Sequence, residues 1–248
     1  MDLAQNFQEL FSVHAVISML TLTVLEIVLG IDNIIFIAIV AGKLPDRKDQ
    51  RKARGAGLSL ALLMRIALLF SITWVIGLKD PLFYISDFGA TGRDLILFSG
   101  GVFLLIKTTI EIHNKMEGRD EEGMNIKKIA LNAIIMQIVF IDIIFSFDSI
   151  LTAVGLVSNV LIMIGAVIIA MIIMLWFSEI VSDFINKHPT IKMLALAFLL
   201  MIGMVLILDS FHYHVPKQYI YVSMLFSLLV EGLNMRVRSK RAKRDTHK

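Results

Sequence analysis

Seven apolar runs, each long enough to cross a bilayer, alternate with short polar segments along the chain. A spanning helix needs about 20 apolar residues. The pattern predicts helices near 13–41, 56–78, 94–112, 129–156, 159–181, 193–211 and 217–235. Together they make one all-α, polytopic membrane domain over residues 1–235, followed by a basic tail at 236–248. The first and fourth runs exceed what a span requires, which points to tilt or a break. Composition agrees: 57% of the 248 residues are hydrophobic, against roughly 45–50% in soluble domains, and mean hydropathy is +0.78. The first eleven residues carry Asp2 and Glu9 but no Lys or Arg. They lack the basic n-region of a cleavable signal, so the first run is expected to stay as a helix.

The net charge of +3 says less than its distribution. Lys43, Arg47, Lys48, Arg51, Lys52 and Arg54 crowd between the first two runs, and the positive-inside rule puts that segment in the cytoplasm. Alternation then places 113–128, 182–192 and the tail from Arg236 on the same side. Nineteen Lys and Arg fall on these four segments and three (Lys79, Arg93, Lys217) on the other side. Seven helices with the N-terminus outside and the C-terminus inside satisfy this bias; six or eight would strand a large basic cluster. The tail reads as a stop-transfer element held by anionic lipid, not as a nucleic-acid binder.

Two of the runs carry acids at matching spacing. Glu26-Ile-Val-Leu-Gly-Ile-Asp32-Asn33 is answered 116 positions later by Asp142-Ile-Ile-Phe-Ser-Phe-Asp148-Ser149. On a straight helix a six-residue step separates side chains by about 120° and about 9 Å along the axis, so the two acids of a motif do not share a face. Glu26, Gly30 and Asn33 do, and Asp142, Ser146 and Ser149 repeat that stripe. Gly30 and Ser146 permit close helix approach or a local break. With seven helices the motifs run in opposite directions. Gly101 to Lys107 against Gly203 to Asp209 is a weaker echo of the same relation. Two inverted three-helix repeats plus a seventh helix fit, and such repeats place a transport site at the midplane.

An acid in the bilayer core is expensive and marks a functional site. Several carboxylates together need a cation to stay ionised, and oxygen-only ligands suit Mg²⁺, Ca²⁺ and Mn²⁺. The expected metal-binding set is Glu26, Asp32, Asn33, Asp142, Asp148 and Ser149, supported by Arg65 as a fixed cation and Asp209 on an entry path. The bland reading is that the acids pair with Arg65 or tie helices together. Absence of Cys excludes disulfides and thiolate sites. The 14 Met have no ligand spacing, and His212-Tyr-His214 is a weak metal pair. Lys107 with Glu111 reads as a snorkelling pair, Glu179, Asp183 and Glu231 as solvated helix-end acids, and Trp74, Trp176, Tyr84, Tyr219 and Tyr221 as interfacial anchors. No nucleophile–base pair or phosphate loop appears, so no enzyme and no permanent cofactor are expected.

Leu25-Glu26 through Ile35, together with Asp142 through Ser149, resembles the TerC family of integral membrane proteins. Met64-Arg65, Arg93-Asp94, Lys107, Glu111-Ile-His113, His188-Pro189 and Val215-Pro216-Lys217 extend the likeness over nearly the whole chain, which resembles the short bacterial YgdQ type without appended cytosolic domains. The resemblance implies a LysE-like fold, a bacterial inner-membrane location and, from characterised relatives, manganese export through the acidic positions. It also implies links to tellurium resistance and to metal supply for secreted proteins. The expected function is therefore divalent cation transport, Mn²⁺ outward. The rival is a non-transporting membrane partner in a secretion or stress-resistance complex. Under either reading, the expected partners beyond lipid and cation are a second copy of the chain or secretion machinery.

Overall fold

The computed structural model describes residues 12–71, 76–78, 80–85, 88–118, 131–157 and 159–245, with the side chains at 85, 88, 148, 217 and 239–245 excepted. The anchor expected at Trp74, residues 119–130, covering the end of the expected cytoplasmic stretch 113–128, and the side chain of Asp148 lie outside the described residues.

The chain forms two compact units, residues 1–96 with 125–184, and residues 97–124 with 185–248. The first contains α1 (Val13–Leu29), α2 (Ile31–Ala41), α3 (Arg47–Phe70), a hairpin of β1 (Pro81–Ile85) and β2 (Phe88–Thr91), the start of α4 (Gly92–Met116), α5 (Leu131–Leu156) and most of α6 (Val160–Lys187). The second contains the rest of α4, α7 (Pro189–Ser210) and α8 (Lys217–Asp245). Six of these helices are long and apolar enough to span a membrane, and α1 with α2 supplies a seventh as one span bent by 43°. Their outward faces carry large apolar side chains, Val13, Phe70, Trp176 and Phe226 among them, as lipid contact requires.

The first predicted helix is two helices because Gly30 ends one and begins the next. Its N–H reaches back to Glu26 O at 2.8 Å, and its carbonyl accepts from Ile34 N at 3.1 Å. A Cβ at Gly30 would stand 2.4 Å from Met174 Sδ and 2.9 Å from the Glu26 carbonyl oxygen, so the glycine lets α6 and the end of α1 come close. The matching Ser146 causes no break: α5 runs on through it. Apart from Ile31 and Ile35, α2 is buried along its whole length, as expected of a helix that is apolar all round.

The second span starts earlier than expected, at Arg47 instead of 56, and ends at Phe70 instead of 78. Asp46 caps it, its Oδ1 accepting from Lys48 N at 2.9 Å, and Lys and Arg are good helix formers. The basic cluster thus forms the first turns of α3 rather than a loop. Arg54, Leu58, Ala61, Arg65 and Leu69 line its buried face at helical spacing. Gly57 lets α5 in: a Cβ there would lie 2.8 Å from Ile138.

The short hairpin was not expected. It pairs antiparallel with Tyr84 opposite Gly89 and an irregularity between Pro81 and Phe83. Thr91 and Asp94 then cap α4 reciprocally, Thr91 N donating to Asp94 Oδ2 at 3.0 Å and Asp94 N to Thr91 Oγ1 at 3.1 Å. This is a capping box with Asp at the third position. In the second unit α4 and α7 cross at two glycines. A Cβ at Gly101 would lie 2.7 Å from Gly203 O, and one at Gly203 3.1 Å from Gly101 O. Pro189 opens α7 directly after α6, with only His188 between. The basic tail continues α8 as helix to Asp245.

Candidate functional site: a buried arginine between two acids

Arg65 projects from the buried face of α3 into the first unit, with 2% of its side chain exposed. Its Nε donates to Asp142 Oδ2 at 3.0 Å and its Nη2 to Asp142 Oδ1 at 2.7 Å, a bidentate pair. Its Nη1 binds Glu26 Oε1. Both acids are buried, Glu26 on α1 and Asp142 on α5. Three helices are therefore tied by one guanidinium, whose planar fork matches carboxylate geometry. Removing three charged groups from water is costly, and only near-complete mutual pairing offsets it.

Neutral groups complete the cluster. Asn33 Nδ2 donates to Asp142 Oδ1 at 3.0 Å, and Ser146 Oγ donates to Asp142 Oδ2 at 3.0 Å. Ser149 Oγ lies 3.4 Å from Glu26 Oε1 and 3.1 Å from Ser146 O. The two stripes read from the sequence thus face each other. Glu26 meets Ser149 and Asn33 meets Asp142, so numbering rises along one segment as it falls along the other. The segments are antiparallel. Exchanging the two motifs, Glu26 for Asp142 and Asn33 for Ser149, turns each contact into the other.

Asp32 is buried one position after α2 begins, where the helix N-terminus favours a carboxylate. The break at Gly30 creates that N-terminus. Asn33 Oδ1 is buried and has no hydrogen-bond donor among the described residues. Asp148 lies on α5, but its side chain is outside the described residues. Asp209 belongs to the second unit, where it is buried and His214 Nδ1 lies 3.3 Å from its Oδ1. The structure thus brings Glu26, Asn33, Asp142, Ser149 and Arg65 into one cluster. Among the described residues no three or more His, Asp or Glu are grouped to hold a metal. As the cluster stands, the guanidinium occupies both central acids.

Ser146 was read only as a small residue. Its hydroxyl is a working member, and the signal was its place on the Asp142 stripe. At the end of α6 nearest the α3 N-terminus, Glu179 is not simply solvated. It pairs with Arg51, and Ser182 Oγ accepts from Arg54 Nη1 at 3.2 Å. In the second unit Glu111 is buried and meets Lys192 Nζ at 4.0 Å across helices, while Lys107 Nζ stands 5.9 Å from the Phe103 ring.

The chain is similar to several bacterial proteins. It is 50% identical over 221 residues to the inner membrane protein YgdQ of Escherichia coli K12, covering 89% of this chain and 92% of the relative. It is 46% identical over 235 residues to a UPF0053 protein of Haemophilus influenzae, covering 94% and 98%. It is 49% identical over 217 residues to the inner membrane protein YoaE of E. coli K12, covering 87% of this chain but 42% of the relative, so it spans less than half of YoaE's length. No solved structure matches significantly. The family model for the integral membrane protein TerC family matches residues 11–246, taking in the broken first span, Arg65 and the acids of α5. With that match running from before α1 to the end of α8, the chain belongs to the TerC family of integral membrane proteins.

Proposed function

We propose that the protein is an inner-membrane transporter of a divalent cation, exporting Mn²⁺ through a site built on the cluster of Glu26, Asn33, Asp142 and Ser149, with Asp32 and Asp148 as the second acid of each motif. The observation that carries this reading is the convergence of the two repeated stripes on one buried polar cluster. Glu26, Asn33, Asp142 and Ser149 meet there, in an antiparallel register that inverted repeats produce. The Gly101–Gly203 crossing supports the same symmetry, because these glycines also correspond in the repeat and touch each other. Oxygen donors without thiol or imidazole favour a hard cation. The names of the relatives YgdQ and YoaE support an inner-membrane location, and the basic bias supports a C-terminus in the cytoplasm.

In this mechanism the midplane acids bind the cation, and exchange of conformation between the repeats turns the site from one side to the other. Metal competes with protons for carboxylates, so affinity falls as pH drops. The test is uptake of Mn²⁺, Ca²⁺, Mg²⁺ and Zn²⁺ into proteoliposomes, with and without a pH gradient, alongside Mn²⁺ binding to purified protein from pH 8 to pH 5. Mn²⁺ transport that Asp32→Asn abolishes and Glu179→Gln spares is the expected result. Equal transport by Asp32→Asn, or binding independent of pH, overturns it.

A second reading keeps one observation on its side. The Arg65 bridge joins α1, α3 and α5 as a structural tie would, and a membrane partner of a secretion or stress complex needs no more. Purified protein that binds none of the four ions would favour that reading.

A further inference from the structure

We infer that Arg65 is a tethered counter-cation that fills the site between transport events and that an entering divalent cation must displace it from Glu26 and Asp142. The inference rests on the transport reading above. It deepens that reading by assigning the competitor at the same site.

Three observations carry it. The guanidinium satisfies both oxygens of Asp142 and one of Glu26. A metal ligating those oxygens at about 2.0–2.6 Å cannot share them with N–H donors lying in the same lone-pair directions. Next, Arg65, Glu26 and Asp142 are all buried, so the guanidinium is the charge that balances both acids in the arrangement seen. Last, the groups around the bridge do not depend on Arg65 alone. Asn33 and Ser146 also bond Asp142, and Ser149 reaches Glu26. These neutral partners hold the acids in place when the guanidinium leaves, and Asn33 Oδ1, which lacks a donor among the described residues, is an oxygen ready for a cation.

A tethered competitor solves a problem that a midplane carboxylate site faces in every cycle. After release the acids would be buried with no counter-charge, which is strongly unfavourable. Arg65 supplies one positive charge at an effective concentration set by its own helix, and it weakens the hold on the cargo enough for release. The observed affinity of a site populated in its open form only part of the time falls by that fraction.

The experiment measures Mn²⁺ binding to detergent-purified wild type, Arg65→Gly and Arg65→Lys, with and without millimolar guanidinium chloride. With Arg65 released about a tenth of the time, Arg65→Gly binds Mn²⁺ roughly tenfold tighter than wild type. Free guanidinium competes with Mn²⁺ in that variant and not in wild type. A residue that merely braces the helices would show no such competition. Lysine bonds one oxygen at a time and competes less well, so Arg65→Lys falls between the two, and it decides the matter if Arg65→Gly does not fold. Wild-type binding with equal or weaker affinity in the folded variants overturns the role of Arg65 while leaving the transport reading intact. Binding in none of the proteins overturns both. Binding that appears only when Arg65 is replaced supports both.

Discussion

Arg65 and Asp142 stand 77 residues apart in the chain and meet through two parallel hydrogen bonds, Nε to Oδ2 at 3.0 Å and Nη2 to Oδ1 at 2.7 Å. The pairing changes what these residues are energetically. An isolated acid in a membrane helix is a burden that neutralisation relieves. An acid that balances a buried guanidinium is the reason the guanidinium can be there.

Asp142→Asn is therefore expected to destabilise the protein by about 3–5 kcal/mol, the usual consequence of removing one partner from a buried pair. For an unpaired membrane acid, neutralisation would leave stability unchanged or raise it; the Arg65 bridge reverses the sign. Ser146→Ala removes one neutral hydrogen bond to Asp142 and should cost about 1 kcal/mol. Denaturant unfolding in detergent measures both, and an Asp142→Asn midpoint at or above wild type would contradict the bridge.

Gly30→Ala should cost about 1–3 kcal/mol through overpacking. The new Cβ falls 2.4 Å from Met174 Sδ and 2.9 Å from the Glu26 carbonyl oxygen. The thioether can swing aside, but the backbone oxygen holds the end of α1. Adding Met174→Ala should recover only part of the loss, read as a thermal-melting double-mutant cycle. Full recovery would mean that the side-chain clash alone sets the effect.

In the second unit, Gly101→Val should separate α4 from α7, because its Cβ meets Gly203 O at 2.7 Å and Ile207 N at 3.1 Å. Gly232→Ala is the matched control. Nothing lies within 4 Å of that Cβ, and alanine in a helix gains up to about 1 kcal/mol over glycine. Opposite signs in melting temperature are expected. A neutral Gly101→Val would refute the close crossing.

A reporter fused after Lys248 should read cytoplasmic, and one at Asp2 should read external, from the bias of nineteen basic residues against three. Reporters on the same side would refute the odd number of spans and the inverted orientation of the two motifs together.

The spans were legible because hydropathy is a local property. Any stretch of some twenty apolar residues must become helix in lipid, whatever surrounds it. The two acidic stripes were legible for the same reason: a face of a helix is fixed by spacing along one chain segment. Helix ends were read less well where charged residues continue a helix, as at Arg47 and beyond Arg236, since hydropathy reports where lipid begins and not where hydrogen bonding stops. The hairpin at 81–91 was missed, although Thr91-Gly-Arg-Asp94 carried a capping signal. Only the tertiary structure decided that Gly30 breaks its helix while Ser146 leaves its own intact, since the sequence opened both positions to a break. Only it decided that Arg65 lies between Glu26 and Asp142, 39 and 77 residues away in the chain. Spacing along a sequence determines which side chains share a face; which faces meet, and what charge stands between them, is settled by packing between helices.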